Sequence, residues 1–258
     1  MDTVKSSLDG DLLQRGFTLA EMAIALAIVG LLLGGIVTTL SVQIQQRAIS
    51  DTRRTMEQAR DALVGFAIAN GRLPCPASSA SNGIESYTGT IGNSPCTAPL
   101  AGYLPSATLG LSPTDPQGYL VDAWGNRVRY VVTNVNSEAF TNSTAASTNI
   151  RNGFTSMTPN LRVCATAACT TVTASAPAAV IFSAGKNGVQ LVQGISGGTD
   201  ENKNNKIYSI APLVADTTRD FVYHEPTFTT AGDIVFDDIL TWLSPSVLYN
   251  RMAAAGTL

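Results

Sequence analysis

"QRGFTLAEMAIALAIVGLLLGG", residues 14–35, sets one carboxylate, Glu21, at the front of an uncharged apolar run. The run is long: from Met22 to Gln46 no residue carries a charge. As a helix, Phe17 to Val42 would extend about 39 Å, more than the roughly 30 Å hydrocarbon core of a bilayer, so the stretch is expected to span a membrane. A removable secretory signal would have a shorter apolar region, a more basic start and a small-x-small site after it. "TTLSVQIQQR", residues 38–47, offers no such site. Basic residues do not orient the span, because Lys5 and Arg15 before it are balanced by Arg47, Arg53 and Arg54 after it. An acid near the start of a membrane helix is costly when unpaired, so Glu21 is expected to have a partner.

Working outward, the apolar pattern changes period rather than stopping. Ile49, Thr52, Met56, Ala59, Leu63 and Phe66 recur at three- and four-residue steps, with Arg53, Glu57, Arg60 and Asp61 elsewhere around the helix. No proline interrupts before Pro74, and Gly71 in "ANGRLPCP" supplies a C-terminal stop. Phe17 to Asn70 is therefore expected as one helix of about 80 Å. Its first half would lie in lipid or against other subunits, and its second half would pack on a domain.

The 258 residues allow one good-sized domain beyond this helix. A net charge of -3 and a pI near 5.1 supply no basic face, which argues against a nucleic-acid partner. All four cysteines, Cys75, Cys96, Cys164 and Cys169, follow the apolar segment, an even number that reads as disulfides in an oxidising compartment. Three pairings are open. Cys75 with Cys96 and Cys164 with Cys169 is favoured, because "VCATAACTTV", residues 163–172, reads as two short strands around a tight turn. Zinc is the alternative, disfavoured because neither CxxC spacing nor clustered histidines occur.

The rest reads as α+β. Residues 75–117 are rich in Ser, Gly, Asn and Pro, an irregular excursion. "VRYVVTNV" from Val128, "LRVCAT" from Leu161, "TTVTA" from Thr170, "AAVIFSAG" from Ala178 and "DFVYHE" from Asp220 have strand composition, so a small antiparallel sheet is expected. "LSPSVLYNRMAAAG" places Ser244 as N-cap, Pro245 in the first turn and Gly256 as stop of a short closing helix.

Candidate chemistry is sparse. His224, the one histidine, neighbours Glu225, and neither HExxH nor GxxxxGK[ST] occurs, so the residues point away from an enzyme. "TDENKNNK", residues 199–206, sets Asp200, Asn202 and Asn204 at the alternation that opens an EF-hand-type calcium loop. Asn205 stands where the turn glycine belongs and no Glu closes the loop, so a solvated polar loop is the favoured reading.

"RGFTLAEMAIALAIVGLLLGGIV", residues 15–37, resembles the prepilin N-terminus shared by type IV pilins and type II secretion pseudopilins. It has the family's hydrophilic leader ending in Gly, then Phe, Thr, Leu, a small residue, Glu and an apolar helix. The resemblance implies a leader over residues 1–16, a transmembrane and amphipathic helix over 17–70, and an extracytoplasmic pilin-like domain over 71–258, together a lollipop. It implies cleavage between Gly16 and Phe17 by a prepilin peptidase, N-methylation of Phe17, and pairing of Glu21 with a Phe17 amine, its own or a neighbouring subunit's. The implied partners are that peptidase and methyltransferase, other pilin or pseudopilin subunits, an inner-membrane assembly platform and the lipid bilayer. The implied location is the bacterial inner membrane with the domain in the periplasm, then a pilus or pseudopilus at or near the cell surface. "DAWGNRVRY", residues 122–130, and "FSAGKNG", residues 182–188, are similar to stretches of major pseudopilins, whose C-terminal loop binds calcium, which keeps calcium in view as a cofactor. The function expected is that of a structural subunit, minor rather than major, of a pilus or secretion filament. The alternatives are a filament-mounted adhesin or ligand-binding tip, and a single-pass membrane-anchored binding protein.

Overall fold

The computed structural model describes residues 17–143, 150–151, 158–188, 198–205, 218–228 and 234–258; within these, the side chains at 32–42, 136–137, 228 and 234–235 stand outside the description. The chain divides into two compact units, Met1–Gln46 and Arg47–Leu258. Helix α1 runs over Leu19–Asn70, 52 residues without a proline, as the pattern predicts.

In the first unit α1 leaves its apolar side chains uncovered, with Leu19 92% and Leu31 79% exposed. Among the described residues no helix is long and apolar enough to cross a membrane. Within the span expected from the sequence, Phe17 to Val42, the side chains of residues 32–42 lie outside that description. The expected leader, Gly16 included, also lies outside the described residues.

In the second unit α1 becomes amphipathic. Ile49, Thr52, Met56, Ala59 and Leu63 are buried in a row, Phe66 is half-buried, and Arg53, Glu57 and Asp61 face solvent. Gly71 ends the helix at φ +69°, a left-handed conformation that costs glycine little, and its N–H donates to the Ala67 carbonyl at 2.8 Å.

The buried row packs on a four-stranded sheet. Its strands are β1 (Gly102–Tyr103), β2 (Arg129–Val132), β5 (Ala179–Ser183) and β9 (Ile239–Leu243), in that order and antiparallel throughout. Because successive strand residues face opposite ways, Tyr130, Val132, Ile181 and Leu243 meet the helix core, while Val131, Val180, Phe182 and Leu240 point to the other face. That second face is covered by a smaller sheet of β4 (Val172–Ser175), β3 (Leu161–Cys164) and β6 (Arg219–Val222), which contributes Leu161, Val163 and Phe221. The order helix, sheet, sheet explains why "AVIF" in β5 is apolar without alternation, since both its faces are buried.

The antiparallel expectation holds for the larger sheet and needs one correction in the smaller. β3 and β6 pair in parallel, Leu161 opposite Arg219 and Cys164 opposite Val222, because 54 residues of intervening chain return the second strand in the same direction. β7 (Thr227–Phe228) and β8 (Ile234–Phe236) form a separate antiparallel pair. Short helices α2 (Ser106–Leu109) and α3 (Val135–Glu138) lie in the connections. Residues 199–205, expected as a solvated loop, are instead helix α4 (Thr199–Asn205), with Glu201, Asn204 and Asn205 buried. Helix α5 (Pro245–Ala254) closes the chain after the extended Ser244 and returns Leu248 and Met252 to the α1 core.

Candidate functional site

At its start α1 is held by a reciprocal cap. The Thr18 N–H and Oγ1 both donate to Glu21 Oε2 at 2.9 Å, the Glu21 N–H approaches Thr18 Oγ1 at 3.2 Å, and the Met22 N–H donates to the Thr18 carbonyl at 3.1 Å. This is the Thr-x-x-Glu capping box, in which each side chain takes a backbone donor that the first turn leaves free. The signal stands in the sequence as "TLAE", residues 18–21, and a reading of Glu21 for outside partners passes over it. Only Oε2 is used; among the described residues Oε1 has no partner. Phe17, one residue before the cap, is 81% exposed. Cutting the chain before Phe17 leaves the Thr18 N–H and hydroxyl intact, so the box survives that cut.

The stretches 122–130 and 182–188 meet in the domain. Asp122 Oδ1 accepts the Trp124 and Asn126 N–H groups at 2.9 and 2.8 Å, while its Oδ2 accepts the Ser183 hydroxyl at 2.6 Å. Asn126 Nδ2 donates to the Gly185 carbonyl at 2.6 Å, and the Ala123 N–H reaches back to Thr52 Oγ1 on α1 at 3.1 Å. The two segments therefore form one brace between helix and sheet, with Trp124 partly buried against the helix core.

Two cysteine pairs lie at bonding distance, Cys75 with Cys96 and Cys164 with Cys169, with Cα–Cα separations of 5.4 and 5.0 Å. The first closes the irregular excursion, which is also tied by a buried ion pair. Arg72 meets both Glu85 oxygens at 2.7 and 2.9 Å and the Tyr87 hydroxyl at 2.6 Å. Burial raises the Tyr87 pKa well above its usual value, and the adjacent Glu85 adds to the rise.

The structure separates the three calcium candidates by engaging them differently. Asp200 Oδ1 accepts the Ala167 N–H at 2.7 Å, and its Oδ2 lies 3.3 Å from His224 Nε2. The Asn204 amide holds both backbone groups of Val222, at 2.7 and 3.0 Å, and donates to Asp238 at 2.7 Å. Asn202 sits between them on α4, so the helix turns it away from the line joining the other two. His224, expected in a strand, follows β6; its Nδ1 lies 2.9 Å from the Glu225 carbonyl and its ring centroid 3.8 Å from that of Phe236.

Beside α4 lies a cluster that sequence reading missed. Glu201, Asp237 and Asp238 are each 1% exposed, and one ligand oxygen from each lies within 4.8 Å of the others. Burial pushes the Asp237 carboxyl up to about 7, with Glu201 adding to the rise. Burial likewise carries Asp238 well above the usual carboxylate range. The one local clue was the acid pair inside "IVFDDILTWL", residues 234–243, where the flanking residues are apolar.

A cleft of about 440 Å³ lies beside the contact of α1 with β9, lined by Arg53, Met56, Arg60, Tyr223 and Trp242. At its rim Arg53 pairs with Glu225 at 2.6 Å.

Residues 12–37 match the family model described as the prokaryotic N-terminal methylation motif. The chain carries the signature of type IV pilins and pseudopilins, which mark their structural subunits with this segment. No curated protein and no solved structure matches the chain.

Proposed function

We propose that the chain is a structural subunit of a type IV pilus or a type II secretion filament, of the minor rather than the major kind. Its precursor is anchored by the apolar stretch that begins at Phe17, cleaved after Gly16, and methylated on the Phe17 amine. The matched segment supports this reading, and Glu21 carries it. The capping box holds that carboxylate beside the N-terminus with Oε1 unpartnered among the described residues. The new amine of a neighbouring subunit can pair there without disturbing the helix start, and the positive end of the helix dipole favours the acid. Low dielectric among apolar helices strengthens such a pair, and a subunit entering out of register would leave both charges unmatched. A chain of 258 residues, less a leader of 16, exceeds what a minimal pilin needs, which favours a minor subunit.

The test replaces Glu21. Glu21→Ala is expected to insert and be cleaved normally but to lower incorporation into sheared filaments at least about tenfold at equal membrane abundance, with Glu21→Asp retaining part. Incorporation of the Ala variant at the wild-type level would contradict the proposal. The cleft beside α1 and β9 favours one second reading, a tip subunit that binds a ligand on a filament mount. Labelling along isolated filaments separates the two, since a tip subunit marks only the ends.

A further inference from the structure

We propose that Glu201, Asp237 and Asp238 form a binding site for one calcium ion. The site belongs to the domain and is independent of filament assembly.

Three facts about the cluster point to a ligand. Two of its oxygens have no partner: Asp237 Oδ1 and Asp238 Oδ1 are both buried without a hydrogen bond, on side chains that are 99% covered. Buried acceptors in folded proteins are nearly always satisfied, and each exception calls for a missing partner. The other oxygens are already aimed by neutral donors. Asn187 Nδ2 meets both Glu201 oxygens at 3.0 and 2.9 Å, the Asp237 N–H donates to Glu201 Oε1 at 3.2 Å, the Lys186 N–H donates to Asp237 Oδ2 at 2.6 Å, and Asn204 Nδ2 holds Asp238 Oδ2 at 2.7 Å. Finally, no Lys, Arg or His forms an ion pair with any of the three acids among the described residues, so three close carboxylates lack a countercharge.

The donor set selects the ion. Calcium takes about six to eight oxygens at about 2.3–2.6 Å in flexible geometry, so two oxygens across one ion stand up to about 5 Å apart. One oxygen from each acid lies within 4.8 Å of the others, inside that reach. Magnesium demands an octahedron of fixed angles and keeps several waters, usually on one or two carboxylates, whereas this site offers three carboxylates that are almost wholly buried. Close approach of backbone helps shape the site: a Cβ on Gly185 would come within 2.4 Å of Asp237 Cγ and 2.5 Å of its carbonyl oxygen, so Gly185 allows the 185–187 turn to lie against the acids. A bound ion would tie three segments together: that turn, α4, and the corner between β8 and β9.

The rival is protonation, which neutralises the acids without a metal. The experiment uses the full chain in detergent, stripped with chelator and titrated with calcium chloride, reading stoichiometry by equilibrium dialysis and stability by thermal unfolding. The expected result is one calcium per chain and a rise in Tm of roughly 5–10 °C at a hundredfold excess over Kd, with a smaller rise in magnesium chloride. Asp237→Asn, Asp238→Asn and Glu201→Gln each remove one charge and are expected to weaken calcium binding at least tenfold. Asp200→Ala serves as the comparison and is expected to bind calcium as wild type does. If one cluster variant fails to fold, the other two carry the test. A folded wild type that takes up no calcium at millimolar concentration overturns the proposal, as does unchanged binding by the three cluster variants, which would place any calcium elsewhere.

Discussion

In the first unit Leu19 and Leu31 are 92% and 79% exposed, while Glu21 makes its bonds within one helical turn. In the second, Leu63 and Leu73 are fully covered, while Asp237 and Asp238 each keep a buried oxygen with no partner. One helix contributes to both units, yet its apolar side chains are bare in one and form the core of the other. The difference teaches what each region needs from outside the chain. The first unit lacks an apolar environment, which lipid or neighbouring helices would supply. The second has its apolar environment, and among the described residues no cationic side chain pairs with the three acids at one corner.

The same substitution at two places on α1 sharpens this contrast most. Leu63→Ala removes a fully buried side chain between helix and sheet and is expected to cost about 2–5 kcal/mol of domain stability in denaturant melts. Leu26→Ala, at a position that is 67% exposed, is expected to leave the domain's melt unchanged and to act only on incorporation into filaments. Equal losses at the two sites would break the distinction between the units.

The cysteine pairs rank next. Serine at both Cys75 and Cys96, which are 21 residues apart, is expected to cost about 3 kcal/mol by freeing the unfolded chain. The same change at Cys164 and Cys169, 5 residues apart, is expected to cost about 2 kcal/mol. Non-reducing peptide mapping, followed by melts of the two variants, checks both the pairing and the order.

A smaller effect is expected at the cap. Thr18→Val removes the hydroxyl that closes the box and is expected to cost about 1 kcal/mol at the first turn of α1. Hydrogen exchange at the amides of residues 19–22 would report it, and the domain's Tm would not change.

Acid reads the smallest effect. Burial works to raise the Asp220 carboxyl, but bonds from Arg162 at 2.8 Å and Lys203 at 3.3 Å outweigh it and hold the group below its usual value. A carboxylate with a lowered folded pKa stabilises the domain above its unfolded pKa, near 3.8, and that contribution is lost as pH falls through the folded value. Asp220→Asn is therefore expected to cost under about 1 kcal/mol at pH 7 and nothing at pH 2, measured by denaturant melts at both.

Much of the fold was legible because it rests on local pattern. The 49–66 periodicity and Gly71 placed the second half of α1 and its end, and strand composition located β2 through β6 to within three residues at each end. β9 escaped because "ILTWL", residues 239–243, has both faces covered and so lacks the alternation that distinguishes a half-buried strand from a helix. The parallel pairing of β3 with β6 depends on how the chain returns, which composition does not encode. Around α4 the reading went to the Asp200, Asn202 and Asn204 alternation, a pattern of loops, while the helix buried Glu201 between them. Its companions lie 36 and 37 residues further on, so only folding brings the acids together.

The account's central claim is that this chain is a processed filament subunit, and mass spectrometry of the N-terminal peptide from the filament fraction tests it most directly. The account predicts a peptide that begins at Phe17, carries one methyl group on its amine and contains Glu21 unmodified. Protein in that fraction that still carries residues 1–16, or that begins at any other residue, would contradict it.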